Sequence, residues 1–102
     1  MFATFTQYRV NPIFKKEFVA SWEDFLNHLR MEQYAHSGTL HGESRITYIS
    51  YIIWTSREKF EPVYNKEVDA FVPLINKLHS ICNDVQLLHR MDIIKQNTPF
   101  YS

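Results

Sequence analysis

Ser37–Glu61 reads SGTLHGESRITYISYIIWTSREKFE, and the segment Ile46–Trp54 within it decides the fold. β-branched and aromatic residues dominate that segment, the composition of a pleated, packed strand. Tyr48, Ile52 and Trp54 fall on one face, and Ile49, Tyr51 and Ile53 on the other. A strand that is apolar on both sides needs cover on both sides. The chain's own helices supply one cover. With 102 residues to draw on, a second copy of the chain is the simplest source of the other. Thr55 or Ser56, followed by Arg57-Glu58-Lys59, is a helix-start signature, so the chain turns from the strand straight into a helix near 56–64.

The same periodicity reading extends in both directions. Phe2–Val10 alternates, with Phe2, Thr4, Thr6, Tyr8 and Val10 on one face of a strand. Asn11-Pro12 ends it and opens a turn. Phe14, Phe18, Trp22, Phe25 and Leu29 then recur every three or four residues, which predicts an amphipathic helix to about Met31 or Tyr34. Gly38 and Gly42 bracket a short strand, Thr39–His41. Pro62 interrupts the helical pattern, so a second helical piece is expected from Lys66, with Val68, Phe71, Ile75 and Leu78 in its apolar stripe and Asn83-Asp84 at its end. Val85–Lys95 alternates as a last strand, and Gln96–Ser102 reads as a loose tail. The order β-α-β-β-α-β predicts an α+β, ferredoxin-like domain over residues 1–95, with an antiparallel four-stranded sheet and both helices on one face.

Composition narrows the function. Eleven basic and eleven acidic residues balance, so no basic stripe marks a nucleic-acid surface. One cysteine, Cys82, excludes an intrachain disulfide and a Cys-rich metal site, and fits a reducing, cytoplasmic setting. MFATFTQYRV lacks a basic segment followed by an apolar run, so no signal peptide is expected, and no uncharged apolar stretch is long enough to span a membrane. Eight Phe, six Tyr and two Trp are enough aromatic residues to build an apolar pocket.

Two segments carry a family resemblance. YRVNPIFKKEFVASWEDF resembles the first strand, Pro-containing turn and helix of the antibiotic biosynthesis monooxygenase-like family. SGTLHGES with ITYISYIIWTSREKFE resembles that family's Gly-Ser/Thr-Leu lead-in and its strand ending in Trp before Ser-Arg-Glu and an aromatic. The resemblance spans about residues 2–95. It implies a dimeric α+β barrel with a pocket between sheet and helices in each subunit. It also implies, as one activity within the family, oxidation of a small aromatic or polyketide-like compound by O2 with no bound cofactor. Haem-degrading relatives carry an Asn, a Trp and a His where this chain has Thr6, Val63 and Pro73, so haem degradation is not expected.

The candidate site follows from these faces. His89 shares the apolar alternation of Val85, Leu87 and Met91, so it is expected on a covered face as the catalytic base, with His41 as second choice. His28, His36 and His79 are read as surface or structural. Thr6, Tyr8, Trp22, Phe25, Tyr48 and Trp54 are candidate substrate contacts, although Trp54 and Trp22 serve equally well as structural plugs. No His-x-x-x-His spacing or carboxylate partner suggests a metal site, and nothing marks Cys82 as reactive. The competing reading is a non-catalytic homodimer that binds a small apolar ligand, or a purely structural domain of the same fold.

Overall fold

The computed structural model describes residues 1–97. It contains β1 (Phe2–Val10), α1 (Lys15–Met31), β2 (Ala35–Gly42), β3 (Thr47–Trp54), α2 (Arg57–Tyr64), α3 (Val72–Ser80) and β4 (Cys82–Asp92), with one-turn 3-10 segments at Pro12–Phe14 and Asp69–Phe71. The strands form one antiparallel sheet in the order β2-β3-β1-β4, which is the ferredoxin-like α+β arrangement.

Local chemistry explains the boundaries. Asn11 caps the first 3-10 turn through its side chain, which accepts from the Ile13 N–H at 3.2 Å. Ser56 is the N-cap of α2, its Oγ accepting from the Lys59 N–H at 3.1 Å. Both α1 and α2 end in Schellman turns. The Tyr34 N–H donates to the Leu29 carbonyl at 2.7 Å, and the Glu67 N–H to the Pro62 carbonyl at 2.8 Å. The left-handed residues these turns require are Gln33 (φ 63°) and Lys66 (φ 58°) rather than glycines. Gly38 has a different use. A Cβ there would lie 2.8 Å from Leu26 Cδ1, so its absence lets β2 approach α1.

Phe18, Trp22, Phe25, Leu26 and Leu29 of α1 pack with Phe60, Val63, Phe71, Ile75 and Leu78 onto the even-numbered residues of β1 and β3. Burial along β3 alternates strictly. Tyr48, Ser50, Ile52 and Trp54 are buried under the helices, whereas Ile49, Tyr51 and Ile53 are only half covered on the helix-free face. The two-faced character expected of this strand is therefore present, with its second face open in the single chain.

Three elements differ from expectation. β2 is eight residues long rather than three, because it pairs with β3 along Ala35–Gly42. The helix expected from Lys66 begins at Val72, since Lys66 sits in the left-handed turn that closes α2 and cannot start a helix. Asn83-Asp84 lies inside β4, and α3 ends at Ser80. The tail expected over Gln96–Ser102 falls, from residue 98 on, outside the described residues.

Candidate functional site

A cavity of about 180 Å³ lies between the helix-covered face of the sheet and the helices α2 and α3. Its floor is Thr4, Thr6 and Tyr8 of β1, beside Ile52 and Trp54 of β3. Phe25, Phe60, Ile75 and Leu78 make the walls apolar, and Lys66 and His79 bring the basic groups to the lining. Among the described residues, the lining contains no carboxylate.

The floor groups have distinct hydrogen-bonding states. Trp54 Nε1–H donates to Thr4 Oγ1 at 3.0 Å, a buried bond that fixes the indole plane at the cavity wall. Tyr8 is buried, and desolvation, with a lesser contribution from the nearby Cys82, holds its phenol far above the ordinary tyrosine range. Tyr8 is therefore a neutral hydroxyl able to donate or accept a hydrogen bond, not a base. His79 behaves in the opposite way. His79 lies exposed at the rim of the cavity, and partial desolvation, then the positive charge of Lys66, lowers its pKa below the ordinary histidine value, which favours the neutral imidazole near pH 7.

Lys66 is placed by strain and by one contact. Its left-handed backbone turns the chain out of α2, and its Nζ donates to Asn76 Oδ1 at 3.0 Å. Two guanidinium groups outside the lining are engaged in exposed ion pairs. Arg57 pairs with Asp92 at 3.0 Å and Arg90 with Glu61 at 2.7 Å, while lying over the Phe2 and Phe60 rings respectively. These pairs tie α2 to β4.

The expected site residues divide into two groups. Thr6, Tyr8, Phe25 and Trp54 do line the cavity. Trp22 does not. It is buried in the core, and its indole N–H is spent on Ser50 Oγ at 2.8 Å. Tyr48 packs on Phe18 at 5.1 Å away from the lining, and its buried hydroxyl has no hydrogen-bond partner among the described residues.

His89 and His41 are corrected more sharply. β4 pairs Leu87 with Thr6 but His89 with Phe5, leaving Leu88 as an extra residue in a β-bulge. The bulge reverses the alternation. Val85 and Leu87 face the helices, whereas His89 is exposed on the helix-free face with its ring edge-on to Phe5 at 6.1 Å. His41 lies opposite Ile49 on that same face, exposed on an edge strand. Neither reaches the cavity.

His79 is the histidine that the sequence reading passed over. A signal for it existed: it follows buried Leu78 and stands four residues after Ile75, at the edge of the apolar stripe of α3. Cys82 is inert, its thiol donating to the Leu78 carbonyl at 3.3 Å and pushed up to about 11 by burial. Among the described residues, no three His, Cys, Asp or Glu side chains come together as a metal site, and no helix is long and apolar enough to cross a membrane.

The sheet and its helices share their fold with solved structures of antibiotic biosynthesis monooxygenase-like proteins. SnoaB, a cofactor-independent oxygenase from Streptomyces nogalater, superposes with a TM-score of 0.76 at 16% identity over 96% of each chain. A putative antibiotic biosynthesis monooxygenase from Caulobacter crescentus superposes with a TM-score of 0.77 at 11% identity, covering 92% of this chain and 90% of that one. A conserved protein of unknown function from Bacteroides thetaiotaomicron, described as a possible oxidoreductase, gives 0.74 at 10% identity over 90% and 96%. No protein-family model and no curated protein matches the sequence. At these identities the shared property is the fold.

Proposed function

We propose that the chain is a cofactor-independent oxygenase-like enzyme that oxidises a small phenolic compound with O2 in the cavity beneath α2 and α3. The observation that carries this reading is the pairing of a neutral imidazole, His79, with an apolar aromatic chamber floored by the Tyr8 hydroxyl. His79 takes the phenolic proton. The resulting phenolate is electron-rich enough to reduce O2 itself, so the protein supplies orientation and a proton acceptor. The overall change balances with O2 as co-substrate. The ring loses its hydroxyl proton and the hydrogen at the carbon being oxidised, gains one oxygen atom there, and the second oxygen leaves as water. Thr6 and Tyr8 hydrogen-bond the inner polar edge of the substrate, and Phe25 and Trp54 flank its ring.

Volume favours a small substrate. Cavities of about 150 Å³ hold a benzene ring, and drug-sized sites start near 300 Å³. At about 180 Å³, the space suits one aromatic ring better than a three-ring polyketide. Pairing of two chains through the helix-free face belongs to the same proposal. Phe5 stacks on Tyr51 there at 4.6 Å, between half-covered Ile49 and Ile53, as a self-complementary apolar patch would require. The single inert thiol is compatible with a cytoplasmic site of action.

An oxygen electrode with ortho-methoxyphenol, and separately with an anthrone, tests the reading without any added cofactor. The expected result is uptake with the single-ring phenol, one O2 consumed per quinone formed, and little or none with the anthrone. Thermal stabilisation by the phenol without oxygen uptake would instead identify a binding module.

A further inference from the structure

Lys66 brings an exposed ammonium group to the rim of the cavity. It is the left-handed residue of the Schellman turn that ends α2, the position where glycine is the usual residue and a side chain is strained. The side chain nevertheless reaches the cavity lining, where no carboxylate meets it among the described residues. An ammonium has three N–H donors. Asn76 Oδ1 accepts from one in an exposed bond, and the others are open to solvent or to a ligand. His79 lines the same cavity from α3.

We propose that Lys66 is an oxyanion-binding residue, and that the substrate is a single-ring aromatic compound whose ionisable oxygen sits between Lys66 and His79 with its ring directed inward. The proposal deepens the oxygenase reading and rests on it for the reaction, but the binding it describes is separable. A weakly basic imidazole is a poor acceptor for a phenolic proton in water. An ammonium against the departing proton's oxygen lowers the acidity barrier in the substrate rather than raising the basicity of the histidine. The cavity thus carries cationic or neutral polar groups and no anion, the arrangement expected for a ligand that becomes negative on binding. The depressed basicity of His79 beside Lys66 agrees with this division of labour.

Para-nitrophenol tests the inference independently of turnover, because its phenolate absorbs visible light and its neutral form does not. The wild-type chain is expected to bind the phenolate about ten-fold more tightly than the neutral phenol, which appears as a downward shift of one unit in the bound ligand's titration. Lys66→Gly is expected to abolish that preference while raising Tm, since glycine relieves the left-handed backbone. Lys66→Arg should retain most of the preference. Equal binding of both forms by wild type and Lys66→Gly overturns the inference, even if oxygen uptake is observed. A phenolate preference lost in Lys66→Gly, without oxygen uptake by any variant, supports the anion site and refutes the oxygenase reading alone.

Discussion

Trp54 Nε1–H reaches across from β3 to Thr4 Oγ1 on β1, 3.0 Å away and out of water. The bond joins the two central strands at the cavity wall and also decides what Trp54 does. Its N–H is committed to the protein, so only the ring face is offered to a ligand. Phenylalanine at this position would leave the Thr4 hydroxyl buried beside a smaller ring. Losing a buried hydrogen bond of this kind costs about 1–3 kcal/mol. Trp54→Phe is expected to lower Tm by about 4–8 °C for each kcal/mol lost in a domain of this size, measured by differential scanning calorimetry.

Tyr48 presents the reverse case. Its hydroxyl is buried with no partner among the described residues, and the ring alone packs against Phe18. An unsatisfied buried hydroxyl carries a desolvation cost of about 1–3 kcal/mol. Tyr48→Phe is therefore expected to leave stability unchanged or to raise it by up to that amount, in urea unfolding. The same variant should bind para-nitrophenol as the wild type does, because Tyr48 stands away from the cavity lining.

The helix-free face gives a test of assembly. Ile49, Tyr51 and Ile53 are half covered, and Phe5 stacks on Tyr51. If this face pairs with a second copy, it should bury about 800 Å² per partner. The wild-type chain is expected to sediment as a dimer. Ile53→Asp, which sets a carboxylate in that apolar seam, is expected to sediment as a folded monomer at micromolar concentration, since an unpaired charge there is costly to desolvate. A wild-type chain that remains monomeric at all concentrations contradicts the assembly.

Activity should depend on pH with a definite sign. Partial desolvation and Lys66 lower the pKa of His79 below its ordinary value of 6.5, which favours the neutral imidazole at pH 7. A base acts in its deprotonated form. Oxygen uptake is therefore full at neutral pH and falls only as the pH drops through the lowered pKa. The charged and titratable groups that share this cavity are Lys66, Tyr8 and Tyr64. Lys66→Met removes the second cause of the shift and leaves desolvation, so the acid limb of kcat/KM should move to higher pH without passing the ordinary histidine value. A limb that stays in place would show that Lys66 does not reach His79.

Much of this architecture was legible from periodicity. The alternation of Ile46–Trp54 and Phe2–Val10 placed Thr6, Tyr8 and Trp54 on the helix-covered face, because a side-chain period of two survives wherever the pairing is regular. It failed at Leu88, where one bulged residue moved His89 to the opposite face from Leu87. No local signal in Gln86–Arg90 announces that bulge, which arises from the register against β1. Trp22 and Tyr48, expected as substrate contacts, lie on the helix-covered side but outside the cavity lining, since periodicity gives a face and not a position along it. Lys66 and His79 share one cavity lining because a Schellman turn and the start of α3 at Val72 set the α2–α3 geometry, and that geometry is a tertiary property.

The account stands most directly on His79 as the proton acceptor. The decisive measurement is kcat for oxygen uptake by His79→Gln at saturating ortho-methoxyphenol, beside the wild type, with para-nitrophenol affinity measured on both. Loss of a general base costs about 10²–10⁴-fold, so a fall of that size with ligand affinity retained is the predicted result. Undiminished turnover in the glutamine variant would contradict it.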